Sequence, residues 1–209
     1  MRYKDVKRAV LGHIDQYTMA GALVPEGYND QADYLAQIPV LINEALVNIR
    51  TQTKPLRVSY HLTDGHEENG FVEYEFPADF WSLCSGGVSL AENGTLRKTN
   101  DYRLVGSKTI LIPAKHAGKV YIEYNRYPNL LPLNDSLTDD FDLAEDIDVI
   151  QAATYFASAG LIVREDEFMY ASLYNEYETR RQHLTNGVTA EVHTVDDAYA
   201  HPLFEGGWV

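Results

Sequence analysis

Histidines set among carboxylates are the first side chains here that could do chemistry. His61 and His66 flank Asp64, with Glu67 and Glu68 directly after, and these residue types can bind a divalent metal ion. The same residues are typical of an exposed polar loop between two strands. The remaining histidines show no metal-ligand spacing, and no HExxH motif occurs. We therefore favour the loop and predict no metal ion and no other cofactor.

A second carboxylate group, Glu145, Asp146 and Asp148, has the composition of a general acid/base pair. However, residues 142–145 match a capping box, and acidic side chains stabilise the first turn of a helix, so a helix start is the better interpretation. No glycine-rich phosphate motif and no GxSxG turn occurs. The sequence thus predicts a protein that is not an enzyme. An enzyme with dispersed catalytic residues stays an alternative, because triad residues need not be neighbours in sequence.

The charge of the chain is acidic and unevenly placed. The formal net charge is -14, and between Asp135 and Glu178 twelve carboxylates accompany a single base, Arg164. The first 57 residues are nearly neutral, with seven bases and six acids. Binding to nucleic acid requires lysine and arginine to displace counterions, so the chain is not expected to grip DNA. It could still surround DNA. No apolar run is long enough for a membrane span or a signal peptide, which predicts a protein made in the cytoplasm.

The elements that must position these residues begin with two amphipathic helices. The first places apolar residues on one face at helical spacing: Tyr3, Val6, Val10, Ile14 and Tyr17. Gly21 and residues 24–27 are expected to end it. The second runs from residue 30 to about residue 51, and Pro39 either kinks it or begins it.

From Pro55 onwards the apolar residues alternate with polar ones, as in strands. A polar loop at 63–70, a single helical turn at 77–81 and a turn at Asn93-Gly94 separate them. The single cysteine, Cys84, lies in an apolar phrase and is expected to be buried and inert. The predicted module is an antiparallel sheet or a small barrel with strands at 56–62, 71–76, 87–90, 102–105, 109–113 and 119–124.

Helical periodicity returns in the C-terminal third. One long helix is predicted with the buried stripe Leu143, Ile147, Ile150, Thr154, Ala157 and Leu161, and with Gly160 as a possible break. Another follows from Glu165. The fold class is therefore α+β: a discontinuous helical domain (1–54 and 129–186) forming a bundle, a β insert (55–128) and an extended C-terminal tail (187–209).

Aromatic residues point to contacts with other chains. The chain has fifteen tyrosines, and Tyr170, Tyr174 and Tyr177 recur at helical spacing. They face either the core or a subunit interface, and both interpretations stay open. In the tail, large apolar side chains lie in a segment without helical period, and we expect them to dock into a groove of a neighbour: Leu203, Phe204 and Trp208.

The order of these elements and three phrases resemble the head-to-tail connector proteins of tailed bacteriophages, the adaptor or gatekeeper type similar to tail tubular protein A. The phrases are LINEAL at 41–46, FPADFWSL at 76–83 and GKVYIEYNRYP at 118–128. The resemblance covers most of residues 1–186. It implies a structural virion protein of the neck or tail, made in the host cytoplasm.

The resemblance further implies a dodecameric ring that contacts the portal protein through C-terminal segments and contacts the next tail or nozzle component through the β insert. Phage DNA would pass through the lumen without sequence-specific binding, and no membrane would be involved. A like-charged wall lets DNA slide without adhering. The acids expected to face the lumen are Asp139, Asp140, Asp142, Glu145, Asp146 and Asp148.

One alternative from another class is a tail-associated module that binds or hydrolyses glycans. It would be built on the aromatic residues of the β insert: Tyr60, Tyr74, Phe80 and Trp81.

Overall fold

A computed structural model of the chain describes residues 1–15, 30–92, 94–134 and 136–200, and the side chains of 1–15, 32–92, 94–134 and 136–185. The chain divides into two compact units, Met1–Lys54 with Pro128–Val209, and Pro55–Tyr127. The described residues contain four helices and two antiparallel sheets. The predicted α+β class is confirmed at this level.

Both N-terminal helices form where apolar periodicity predicts them. Helix α1 spans Tyr3–His13 and buries Tyr3, Val6 and Val10 on one face. Helix α2 spans Asp30–Gln52 and contains Pro39 in its interior, so the proline does not begin the helix. The residues expected to complete and end α1 lie outside the described residues: Tyr17, Gly21 and 24–27.

Helix α3, Ile147–Ile162, is the centre of the helical unit. It contacts α1, α2 and α4 (Glu167–Ala200) and buries side chains around most of its circumference. Gly160 does not break the helix. A Cβ atom built on Gly160 would lie 2.9 Å from Cδ2 of Leu41 on α2, so the glycine permits close approach of the two helices.

The predicted start of this helix was wrong. The helix begins at Ile147, whose side chain is 63% exposed, and Asp146 at the N-cap position makes no side-chain capping bond. The capping-box residues are instead engaged by distant parts of the chain. Asp142 forms an isolated antiparallel bridge with Arg2, and Glu145 accepts hydrogen bonds from Arg50.

The predicted boundary of the C-terminal tail was also too early. Helix α4 continues through Gly187 to Ala200, so residues 187–200 are not extended. One glycine in a helix costs only about 1 kcal/mol relative to alanine, and this is too little to stop a helix of that length. Residues 201–209, with Leu203, Phe204 and Trp208, lie outside the described residues.

The β unit contains two four-stranded antiparallel sheets that share one core. The first sheet has the order β1-β8-β4-β5 and the second the order β2-β3-β7-β6. Residues from both sheets, including Leu62, Val72, Ile112 and Ile122, form a single buried cluster. The strands are β1 Leu56–Leu62, β2 Gly65–Glu68, β3 Phe71–Glu75, β4 Phe80–Glu92, β5 Thr95–Lys98, β6 Arg103–Val105, β7 Thr109–Pro113 and β8 Val120–Arg126.

Two edge strands were not predicted from the sequence, and both for the same physical reason. β2 lies within the expected loop 63–70, and β5 follows Gly94, where no strand was expected. Every residue of both strands is exposed, so neither carries the apolar alternation that reveals a half-buried strand. The β2–β3 turn has positive φ at Asn69 and Gly70, as in a type I′ turn.

The helical turn predicted at 77–81 does not form. Phe80 donates its backbone N–H to the Pro77 carbonyl in a tight turn, and β4 begins at Phe80, which pairs with Arg126. The ring of Phe80 stacks on Phe76 with centroids 3.9 Å apart. Sheet pairing and this stacking hold the segment extended.

Among the residues described, no helix combines the length and the apolar character needed to cross a lipid bilayer.

Candidate functional site

Four of the six acids expected to line a lumen form two groups with different surroundings. Asp139 and Asp140 lie on the surface and pair with bases of the N-terminal segment. Lys7 pairs with Asp139, and Lys4 Nζ lies 3.1 Å from Oδ1 of Asp140. The hydrogen bond from Lys4, with the charges of Lys4 and Arg2, lowers the pKa of Asp140. The near-neutral N-terminal segment therefore neutralises part of the acidic one.

The second group, Glu145 and Asp146, meets the buried base Arg50. The side chains of Arg50 and Glu145 are 2% and 1% exposed, and Arg50 Nη2 lies 2.6 Å from Oε2 of Glu145. Arg50 also bonds Asp146 at 3.1 Å, and Lys54 reaches the same carboxylate at 3.3 Å. Glu145 thus belongs to the core of the helical unit.

This buried pair also holds the two points where the chain leaves and re-enters the helical unit. Arg50 Nη1 donates to the backbone carbonyl of Lys54, and Glu145 Oε1 accepts from the backbone N–H of Asn129. Asn43 adds a reciprocal pair of 2.8 Å bonds with the backbone of Leu131. These contacts hold together the residues of the helical unit that precede and follow the β insert in the chain.

Arg50 and Lys54 also change the acidity of Asp146. Burial by itself would raise the pKa of Asp146, but the hydrogen bonds and charges of Arg50 and Lys54 outweigh it and lower that pKa. The carboxylate is therefore held in its charged form.

Asp148 is the predicted lumen acid that lies at a cleft. The cleft has a volume of about 340 Å³ and is lined by Asp148, Glu176, Thr179, Arg180, His183 and Leu184. Arg180 donates to Glu176 at 3.0 Å and lies over the ring of Tyr155. Arg180 is thus already engaged by its own unit.

The three α4 tyrosines share one face but differ in burial. Tyr177 is buried and packs edge-on against Phe156, and burial raises its pKa to about 12. Tyr170 and Tyr174 are half-buried, with ring centroids 5.8 Å apart. Tyr177 is therefore a core residue, whereas the other two retain surface for a contact.

The aromatic residues considered for glycan binding do not form one platform. Tyr74 is buried, and its hydroxyl accepts from the backbone N–H of Gly118, while Phe80 stacks on Phe76. Tyr60 and Trp81 are exposed. A polar cleft of about 250 Å³ adjoins Tyr60 and is lined by Tyr60, Leu62, Thr63, Asp64, Tyr74, Glu75, Phe76 and Pro77.

The residues considered for metal binding are spread along β1 and β2. The ring of His61 stacks on Tyr121 and contacts the carbonyl of Gly118, and His66 is exposed on β2. Within the described part of the chain, no three histidine, cysteine, aspartate or glutamate side chains come together as a metal site.

Cys84 is half-buried, and its thiol contacts Asn125 at 3.5 Å. Burial raises the pKa of this thiol, which keeps it protonated and unreactive.

Sequence reasoning missed Arg50 and several exposed apolar side chains. Arg50 follows Ile42 and Leu46 at spacings of four, so it lies on the same face of the helix as two buried residues. A basic residue at such a position was the signal in the sequence for a buried charge. Phe168 is 87% exposed at the start of α4. It directly follows the carboxylates at 165–167, and a single apolar residue in that position forms no periodic pattern that would mark it in the sequence. Further exposed apolar residues are Leu96, Leu104, Val105, Leu130, Leu133 and Val163.

A scan against protein-family models gives no match, and a search of the curated proteins gives none either.

Proposed function

We propose that the chain is a structural virion protein, a head-to-tail connector subunit that forms a ring between the portal and the tail of a phage. The observation that supports this function is the order of elements. Two helices precede an antiparallel β unit and two helices follow it, which is the order that the resemblance to connector proteins implies.

The construction of the insert suits a subunit with two contact surfaces. Leu56 at the start of β1 pairs with Arg126 at the end of β8, so the chain enters and leaves the β unit at one place. Each unit has its own apolar core. One unit can therefore contact neighbouring subunits while the other contacts the next tail component.

Charge favours passage of DNA over binding. The chain is acidic overall, and part of its basic side chains is already paired with carboxylates of the same unit. A base that is paired with a carboxylate is less available to displace the counterions of DNA in the lumen. Asp139, Asp140, Asp142 and Asp148 are the proposed lumen acids that can be changed without disturbing the buried pair.

The helices are proposed to form a bundle that builds the ring wall. The last residues, 201–209, are proposed to extend and dock on the portal through Leu203, Phe204 and Trp208. A short segment gains binding energy by burying such large side chains in a pocket of a partner.

The experiment mixes the purified chain with the portal protein of its own genome and images the product by electron microscopy. We expect a ring of this chain stacked on the portal. Alanine at Leu203, Phe204 and Trp208 should abolish stacking, whereas the control Glu205→Ala in the same segment should not. No ring with the unaltered chain would overturn the proposed function, and stacking by the triple variant would overturn the docking segment alone.

The lumen acids have a separate test. Particles carrying asparagine at Asp139, Asp140, Asp142 and Asp148 are expected to eject DNA more slowly than particles with amides at four β-unit carboxylates, Glu73, Glu75, Glu92 and Glu123. Equal ejection rates would remove the acidic-wall part of the proposal and leave the connector role standing.

The cleft beside Tyr60 supports a second candidate, glycan binding or hydrolysis, because Asp64 and Glu75 both line it. Glycan screening of the whole chain, with Glu75→Gln as the matched variant, tests it. Binding or hydrolysis that the variant loses would favour this function, and no response from the unaltered chain would exclude it.

A further inference from the structure

The second sheet of the β unit has two edges of opposite charge. β2 forms one edge and contains His66, Glu67 and Glu68, and Asp64 lies just before the strand. β6 forms the other edge and carries Arg103. Every residue of both strands is exposed, and no further strand pairs with either edge in the described part of the chain.

The edges of the first sheet lack this complementarity. β1 contains Arg57 and His61, and β5 contains Arg97 and Lys98, so the formal charges on both edges are basic. Edge strands often carry charges that prevent aggregation, and like charges on two edges would do so. Opposite charges on the two edges of the second sheet favour mutual pairing.

The strand directions also fit a contact between copies. In a four-stranded antiparallel sheet the first and last strands run in opposite directions, so β2 and β6 are antiparallel. A second copy placed beyond β6 in the same orientation presents its β2 antiparallel to that β6. Backbone hydrogen bonds can then continue from one copy to the next.

The faces of the sheet define which side chains would meet. Arg103 pairs with Leu111, Leu111 with Glu73, and Glu73 with His66, so Arg103 and His66 lie on one face. Glu68, two residues beyond His66, lies on that face too. If Arg103 lies opposite Glu68 of the next copy, each face of one sheet continues into the same face of the other. This register also places opposite charges next to each other.

The same register covers apolar surface. Leu104 and Val105 on β6 are 52% and 47% exposed. Leu104 lies on the face of the buried Ile110, with which it pairs. A neighbouring strand would remove part of both side chains from water.

We propose that β6 of one subunit pairs with β2 of a second copy of this chain, with Arg103 opposite Glu68, so that the sheet continues between subunits. The contact uses a different surface on each copy, as a ring requires. The inference rests on the proposed function for its ring and adds the surface through which subunits join.

Disulfide trapping tests this contact directly. Glu68→Cys and Arg103→Cys are introduced together with Cys84→Ser into the whole chain. Within one chain the two positions are three strand spacings apart, about 14 Å, whereas a disulfide needs Cα atoms within about 7 Å. Any disulfide between them must therefore join two copies.

We expect a ladder of disulfide-linked oligomers on a non-reducing gel, from the free chain at high concentration and from its mixture with the portal. The matched control, Glu68→Cys with Arg97→Cys, places the second thiol on the β5 edge and should give no ladder. A ladder no stronger than the control in both preparations would overturn the proposal.

Charge reversal gives a second readout. Glu68→Arg or Arg103→Glu alone should weaken self-association by about tenfold, and the two changes together should restore it. Equal association of all three variants would contradict the proposed register.

The outcomes separate this inference from the proposed function. Rings on the portal that are indifferent to charge reversal and give no ladder would leave the connector role and remove the strand contact. A ladder with charge-dependent association, but no binding to the portal, would leave the strand contact and remove the connector role.

Discussion

Two neighbouring stretches of the acidic segment, residues 139–142 and residues 145–146, are both rich in carboxylates but have different surroundings. Asp139 and Asp140 pair with lysines at the protein surface, where water and salt weaken each contact. Glu145, a few residues further on, pairs with Arg50 where both side chains are almost fully buried. The burial of a carboxylate, more than its charge, decides how much its ion pair contributes to the stability of the fold.

The buried pair has a cost that the surface pairs do not have. Removing two charges from water is unfavourable, and their attraction compensates only when the remaining hydrogen bonds are satisfied. Arg50 and Glu145 meet this condition through the backbone of Lys54 and Asn129. The same contacts hold the backbone at Lys54 and Asn129, so breaking the pair affects more than its two members.

The largest expected effect is that of Glu145→Gln. The substitution leaves the buried guanidinium of Arg50 without its main counter-charge, and the free energy of unfolding should fall by about 3 kcal/mol. Urea unfolding followed by circular dichroism measures the change. A loss below about 1 kcal/mol would contradict the importance assigned to burial.

Replacing both members serves as the control for that substitution. Arg50→Met with Glu145→Met removes the buried charges together and should recover most of the lost stability, because an apolar pair avoids the desolvation cost. If the double variant is as unstable as Glu145→Gln, packing rather than the unpaired charge explains the loss.

Asp146→Asn should have an intermediate effect. Asp146 is half-exposed and shares Arg50 and Lys54, so solvent screening limits the expected loss to about 0.5–1 kcal/mol. Its pKa is lower in the folded protein than in the unfolded chain, so the stabilisation is complete above about pH 4 and is lost as the pH falls through the folded value. The stabilities of the unaltered chain and Asp146→Asn should therefore converge as the pH falls below about 4, and a difference that does not shrink in acid would contradict this.

Salt should separate the two stretches. At about 0.5 M sodium chloride the surface pairs of Asp139 and Asp140 are screened, while the buried pair is not. The stability difference between the unaltered chain and Glu145→Gln should persist in salt. If it disappears, Glu145 is more accessible to solvent than the fold indicates.

The smallest expected effect is that of Asp140→Asn. This carboxylate is exposed, and its bonds with Arg2 and Lys4 compete with water, so the thermal unfolding midpoint should stay unchanged within error. A clear drop in the midpoint would show that the N-terminal segment depends on surface charge and would end the distinction between the two stretches.

Local sequence patterns were enough to predict most of the helices and strands. Apolar residues at helical spacing located α1 and α2, and alternation located β1, β3, β7 and β8 close to their observed bounds. β2 and β5 were missed because an exposed edge strand has no buried face and hence no alternation. The end of α4 was placed too early because a single glycine weakens a helix without stopping it.

The candidate site was less predictable than the fold. Tyr170, Tyr174 and Tyr177 share a face as their spacing indicated, yet the sequence left open which of them is buried. Packing against Phe156 decides that Tyr177 belongs to the core. The acidic residues were recognised as a group, but their partners were not.

The sequence by itself determined the α+β class, the acidity and the position of most helices and strands, because periodicity and composition act between residues a few positions apart. The tertiary structure alone decided that Arg50 meets Glu145, 95 residues further along the chain, and that Arg103 and Glu68 lie on opposite edges of one sheet. Such pairs depend on how segments far apart in the sequence pack together, and local patterns do not indicate which distant residues come into contact.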